Sequence, residues 1–185
     1  MKKSRGIIFI VAIAIFASLI YSVTKTVFPL KHENYILKYS NEYEVDPYLI
    51  MAIIKAESNF DEAAVSSKSA TGLMQITKST ADWIADKLTI SDFEYKRDIV
   101  KPEINIKMGC FYVEYLLKMY LGREKCALAA YNAGFNNVDR WLSDSDFSSD
   151  GEILDKIPFP ETEKYVRKIS NYQKIYKFLY KDVVG

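Results

Sequence analysis

Glu57 closes an almost wholly apolar stretch, Tyr48-Leu49-Ile50-Met51-Ala52-Ile53-Ile54-Lys55-Ala56, and Ser58-Asn59-Phe60 follow at once. A carboxylate at the end of a buried helix costs energy unless it is paired or neutral. Such a setting raises the carboxyl pKa, which a general acid needs at neutral pH. A lone carboxyl so placed, with polar motifs downstream, points to glycosidase-like chemistry more than to a surface charge. Most glycosidases use two carboxylates at a set separation. The candidates for a partner are Asp61, Glu62, Asp139 and Glu161. Asp61 and Glu62 sit in a Ser/Ala-rich stretch with nothing to aim them at Glu57. Asp139 and Glu161 lie in segments with structural duties of their own. Each reads as a surface or capping residue.

The elements that must hold Glu57 are helical. Tyr35, Ile36, Tyr39 and Tyr43 recur at helical spacing, predicting a helix over 33–43. Asp46-Pro47 reads as the N-cap and first residue of the helix ending at Glu57 or Ser58. That helix is apolar nearly all round and is therefore central. Residues 59–72 carry no period and read as a loop over its end. Thr77 or Ser79 caps a helix running to about Lys87, and residues 88–100 read as irregular and charged. Pro102 opens a long helix with Ile104, Met108, Phe111, Tyr115 and Met119 on one stripe, stopping near Leu121-Gly122. A short helix from Glu124 to Asn132 is stopped by Gly134, and another begins at Asn136 or Asn137 and runs through Trp141. Residues 143–151 are loop by composition. Pro158 and Pro160 precede a last helix striped by Tyr165, Ile169, Tyr172, Tyr176 and Leu179. No alternating pattern longer than four residues argues for strand. The body, roughly 32–183, is expected to be one all-α domain.

The N-terminus is of a different kind. Met1-Lys2-Lys3-Ser4-Arg5-Gly6 is basic, and Ile7 to Val23 follow without a charged residue. As a helix this run spans roughly 25 Å, near the lower limit for crossing a bilayer. It is long for a signal peptide, and Ile20-Tyr21-Ser22-Val23 makes a poor cleavage site. An uncleaved signal anchor is expected over residues 1–31, with the N-terminus cytoplasmic and the body, residues 32–185, on the extracytoplasmic side of a bacterial cytoplasmic membrane. Residues 1–31 hold five of the 25 Lys/Arg and no acid, so the rest carries a net charge of about −4. That balance argues against nucleic acid as a partner. Cys110 and Cys126 fall at offset heights on neighbouring helices, beyond disulfide reach, and are expected as free thiols. With one His, His32, no metal site and no cofactor are expected.

Four segments stand in order: Lys55-Ala56-Glu57-Ser58-Asn59-Phe60; Ser66 with Gly72-Leu73-Met74-Gln75; Ala129-Ala130-Tyr131-Asn132-Ala133-Gly134; and Ile157-Pro158-Phe159-Pro160-Glu161-Thr162 with Tyr165-Val166. The set resembles the catalytic domain of the soluble-type (SLT) lytic transglycosylases, lysozyme-like α-domains of the goose-type lysozyme superfamily. These cut the glycan strands of peptidoglycan between N-acetylmuramic acid and N-acetylglucosamine. The resemblance covers about residues 34–180 and implies a peptidoglycan partner. It implies Glu57 as the catalytic acid and base, and Ser66 as a serine orienting the sugar or the acid. Gly72 to Gln75 would line the glycan groove, with Gln75 a hydrogen-bonding contact, although Met74 reads by its type as core. Tyr131 would bond the Glu57 carboxyl, and Asn132 would reach sugar. Tyr165 would border the site, with Glu161 a supporting contact. Lys78 departs from the pattern, since many relatives have Pro there, and should affect helix entry only. Tyr172 and Tyr176 read as packing.

With no second carboxylate acting, the substrate must supply what is missing. Its N-acetyl group can stabilise the cation-like centre, as in substrate-assisted exceptions to the two-carboxylate rule. Its 6-hydroxyl can then attack, leaving a 1,6-anhydro-muramyl end and consuming no water. A water-using muramidase on the same fold, and a catalytically silent peptidoglycan-binding scaffold, are the competing readings.

Overall fold

The computed structural model describes residues 2–182. Among them are nine helices: α1 (Lys2–Val27), α2 (Glu33–Glu42), α3 (Pro47–Glu57), α4 (Lys78–Lys87), α5 (Tyr95–Asp98), α6 (Pro102–Met119), α7 (Glu124–Ala133), α8 (Phe135–Leu142) and α9 (Pro160–Tyr180). No extended strand occurs among the described residues; isolated bridges tie Thr71 to Val65 and to Ile76. The chain divides into two compact units between Lys31 and His32.

The first unit is α1. From Phe9 to Val27 it is long and apolar enough to cross a membrane, and none of that window is buried. Phe9, Ile10, Phe16 and Leu19 are among its exposed side chains.

In the second unit α3 is the axis, packed chiefly against α9 and also against α2. Its start follows from sequence: Asp46 accepts the Tyr48 N–H at 2.9 Å, with Pro47 in the first turn. Leu49 through Ile54 are each no more than 1% exposed, so the helix is enclosed on all sides. Its end is equally defined. Ser58 Oγ donates to the Ile54 carbonyl at 3.2 Å and accepts the Phe60 N–H at 3.1 Å. Asn59 and Phe60 then take positive φ, 55° and 64°, which turns the chain sharply away just beyond Glu57.

The long helix α6 corrects the expected stripe. Met108 is buried, but Ile104, Phe111 and Tyr115 are half-buried and Met119 is exposed. The core face is Asn105, Ile106, Gly109, Cys110, Val113, Leu116 and Tyr120. The reason is aromatic: Phe111 and Tyr115 form a flank where Trp83 of α4 and Tyr43 pack on them. The stretch 88–100 is also more ordered than expected. Glu94, Tyr95 and Asp98 close a single helical turn, α5, because Asp98 accepts the Glu94 N–H at 2.9 Å while bonding Arg97 and Lys101. Thr77, not Ser79, caps α4, and Lys78 in its first turn pairs with Asp82. Helix α8 starts at Phe135, directly after Gly134, whose φ of 86° ends α7. Cys110 and Cys126 are free and buried.

Candidate active site

Helices α3 and α9 bring Glu57 and Tyr165 together from 108 residues apart: Tyr165 Oη donates to Glu57 Oε1 at 2.6 Å. Burial pushes the Glu57 carboxyl up to about 7, against the smaller downward pulls of the Tyr165 hydrogen bond and the Lys168 charge. Lys168 lies one helical turn beyond Tyr165 and donates to the Ala56 carbonyl at 3.2 Å. Burial, and the negative charge of Glu57, hold the Tyr165 hydroxyl far above its ordinary pKa, so it stays a donor. Glu57 is therefore a carboxyl poised between acid and base at neutral pH, held by one neutral hydroxyl.

The loop from Thr71 to Ile76 is clamped onto α6 by a buried amide. Asn105 is fully buried. Its Oδ1 accepts the Met74 N–H at 2.8 Å, and its Nδ2 donates to the carbonyls of Thr71 (3.1 Å) and Ile99 (2.9 Å). Glycine is required where the loop touches α6. At Gly72, with φ 85°, a Cβ would fall 2.2 Å from Asn105 Nδ2 and 2.9 Å from the Ile99 carbonyl. At Gly109 of α6 a Cβ would meet Met74 Sδ at 2.0 Å. So held, the Met74 carbonyl accepts the Tyr131 hydroxyl at 2.7 Å. Gln75 takes φ 47°, and its Nε2 donates to the Ala64 and Gly72 carbonyls, both at 2.9 Å, which stabilises the turn.

Several expected roles move. The hydroxyl on Glu57 belongs to Tyr165, whereas Tyr131 bonds the Met74 carbonyl; the negative charge of Glu57 nonetheless reaches Tyr131. Met74 is fully buried and lines no groove; its side chain fills the space over Gly109. Ser66 is exposed and accepts the Ala70 N–H at 3.1 Å, stapling its own turn. Asn132 Oδ1 accepts from Thr162 Oγ1 at 2.7 Å, which fixes the amide orientation. Glu161 is exposed in the first turn of α9, and the supporting contact there is its neighbour Thr162, 2% exposed. Tyr176 is fully buried in the core and Tyr172 lies beside the Lys168 ammonium, at 5.6 Å.

Asn105 and Lys168 escaped sequence reasoning, and Thr162 stood in the last of the four segments without a role. Asn105 carried a signal, a polar residue on the core face of an apolar helix. Lys168 carried none apart from its helical spacing from Tyr165. The four candidate second carboxylates have other partners or face solvent. Asp61 accepts the Ala63 N–H at 3.0 Å, Glu62 lies 3.3 Å from His32, Asp139 accepts from Tyr120 at 3.0 Å, and Glu161 is exposed.

Known proteins resemble this chain in sequence and in fold. The family described as "Transglycosylase SLT domain" matches residues 34–153. The soluble lytic murein transglycosylase of Salmonella typhimurium is 32% identical over 81% of this chain, which covers 23% of that relative. The membrane-bound lytic murein transglycosylase C of Edwardsiella ictaluri is 30% identical over 96% of this chain, covering 54% of the relative. The chain thus spans about a quarter of the soluble relative's length and about half of the membrane-bound one's. Among solved structures, an inactive mutant of the lytic transglycosylase Slt from Pseudomonas aeruginosa superposes with TM-score 0.74 at 30% identity, over 83% of this chain and 25% of that one. The complex of the 70-kDa soluble lytic transglycosylase with bulgecin A gives 0.76 at 27% identity, over 88% of this chain and 26% of that one. The all-α fold is that of these enzymes' SLT domains.

Proposed function

The chain belongs to the transglycosylase SLT family, and from that premise we propose that it is a peptidoglycan lytic transglycosylase with Glu57 as its single acid and base. The observation that carries this reading is a carboxyl raised to about 7 by burial, bonded by the neutral Tyr165 and by none of the four candidate second carboxylates. In the first step protonated Glu57 gives its proton to the glycosidic oxygen between N-acetylmuramic acid and N-acetylglucosamine. The C1–O bond breaks, and the acetamido oxygen of the muramyl residue stabilises the developing cation. In the second step the 6-hydroxyl of the same residue attacks C1 and its proton passes to Glu57. The product is a 1,6-anhydro end, no water is used, and Glu57 returns protonated. A pKa near 7 suits both directions of transfer. Tyr165 orients the carboxyl and steadies its charged form between the steps. Asn132, positioned by Thr162, offers its amide to sugar.

The experiment is digestion of purified peptidoglycan followed by mass analysis of the released muropeptides. Products lighter by one water than reducing muropeptides support the reading. Reducing ends alone identify a muramidase, and intact glycan a binding scaffold.

The N-terminal unit completes the proposal. Helix α1 exposes apolar side chains from Phe9 to Val27 and follows a basic start. It is read as a single-pass anchor of the bacterial cytoplasmic membrane, with residues from 32 onward on the extracytoplasmic side. Membrane pellets washed with alkaline carbonate should retain the full chain. A mature N-terminus near Thr24 would instead establish cleavage.

A further inference from the structure

Helix α9 turns one face to the core and a very different one to solvent. Tyr165, Val166, Ile169, Tyr176, Leu179 and Tyr180 are buried. On the other side Lys164, Arg167, Asn171, Lys174, Phe178 and Lys181 follow at spacings of three, four, three, four and three, and all are exposed. That spacing keeps them in one stripe along the helix, about 25 Å from end to end at 1.5 Å per residue. Lys168 and Lys177 flank it. Phe178 is 74% exposed, so an aromatic ring stands in the open among the cations.

The charge on this face is not balanced locally. Residues 164–181 hold six Lys/Arg and no Asp/Glu, inside a body whose net charge is about −4, which leaves about −10 for the remainder. Several cations elsewhere meet carboxylates: Lys38 pairs with Glu103, Lys78 with Asp82, Arg97 and Lys101 with Asp98, and Lys118 with Glu114. Among the described residues Lys164, Arg167, Lys174, Lys177 and Lys181 form no such pair. Like charges one turn apart weaken a helix. The helix dipole offsets this for Lys177 and Lys181 at the C-terminal end, but not for Lys164, Arg167 and Lys174. The first half of the stripe therefore works against the helix that carries it, and its charge is directed outward.

We propose that this face of α9 docks on an anionic lipid surface, its cations against phosphate-bearing headgroups and the Phe178 ring inserted between them; the inference rests on the reading of α1 as a membrane anchor. Each basic residue near such a surface adds attraction, and an apolar ring beside them settles at the boundary of headgroup and acyl chain. Residues 28–32 are all that joins α1 to α2, so a chain held by α1 brings this face to lipid. The stripe also runs up to the active site, because Lys164 is the sequence neighbour of Tyr165, which holds Glu57. Docking along α9 thus sets the orientation in which Glu57 meets a glycan strand.

The test places the full chain, one copy per disc, in lipid nanodiscs of phosphatidylcholine alone or with added phosphatidylglycerol. Asn171→Cys carries an environment-sensitive fluorophore on the stripe, while Cys110 and Cys126, both fully buried, stay unlabelled. The expected result is a blue shift of emission in the anionic discs only. A label at Ser145→Cys, between Asp144 and Asp146, should not move. Combining Arg167→Gln, Lys174→Gln and Lys181→Gln should lower the ratio of docked to free chains roughly a hundredfold, at about fivefold for each, and abolish the shift. Without those substitutions, salt at about 1 M should do the same, since it shortens the screening length from about 10 Å to about 3 Å. An unmoved label in anionic discs, an equal shift in zwitterionic discs, or a shift indifferent to salt and to the triple variant would overturn the docking. A shift on isolated peptidoglycan sacculi but not on anionic discs assigns the face to the wall and overturns it as well. Retention by phosphatidylcholine discs scores the anchor separately. Retention there without a shift in anionic discs sinks the docking alone. Loss from those discs, with salt-sensitive binding and a shift on anionic ones, sinks the anchor reading alone.

Discussion

Asp98 and Glu57 are both shielded from water, and they respond in opposite ways. Asp98 is 7% exposed and accepts hydrogen bonds from Arg97, from the Glu94 backbone and from Lys101 at 2.7–3.0 Å. Those partners, Arg97 foremost, hold its carboxyl well below the usual range. Glu57 has a neutral hydroxyl against it and a single lysine nearby, and burial lifts it to about 7. Burial alone therefore decides neither the charge nor the purpose of a carboxyl; the partners do. Asp98 is fixed in its charged form and closes the turn of α5. Glu57 is left free to gain and lose a proton.

The comparison breaks most visibly at Glu57 itself. Glu57→Gln should lower muropeptide release by about 10³-fold or more, with sacculus binding retained. The same variant should be more stable than the parent at high pH. The folded pKa of Glu57 lies above its unfolded value, so the parent loses stability as pH rises from about 4.5 to about 7. At pH 8 the substitution should recover up to roughly 3 kcal/mol, read by denaturant unfolding, and almost nothing at pH 4. Equal shifts at both pH values would place the ionised carboxylate in an environment as favourable as water.

Tyr165→Phe removes the hydrogen bond that favours the charged form of Glu57. Turnover should fall about tenfold, and the alkaline limb of kcat/KM should move to higher pH. A limb moving to lower pH contradicts the arrangement. Asp98→Asn sharpens the contrast from the other side. A depressed carboxyl contributes stability above its unfolded pKa, about 3.8, and loses it on acidification. The variant should melt at a lower temperature at pH 7 and show a flatter acid decline, with an unshifted rate profile. The smallest effect belongs to Lys168→Met, a slight rise of the alkaline limb, because that charge is the last and weakest pull on Glu57.

Much of this was legible in the chain because local rules and tertiary packing agree. Asp46-Pro47 starts α3, Gly134 ends α7, and a run of apolar residues buries α3 on every side. The stripe on α6 misled because aromatic residues are apolar in pattern yet pack as a half-exposed flank around Trp83. Within the site, residue types were visible but partners were not. Which tyrosine meets Glu57 is settled by the rotation of α9 against α3, a tertiary quantity that spacing along one helix does not contain. Met74 and Glu161 were drawn toward the site by their neighbours, whereas the groups that bond Tyr131 and Asn132 there are the Met74 carbonyl and the Thr162 hydroxyl.

The proposed mechanism requires Glu57 to change protonation near neutral pH, where ordinary carboxylates do not. Carbon-13 NMR of the full chain in micelles, with glutamate labelled at the carboxyl carbon and Glu57 assigned through Glu57→Gln, measures it directly. A Glu57 resonance titrating with a midpoint near 7 is expected. A midpoint near the ordinary glutamate value of 4.5 would contradict it.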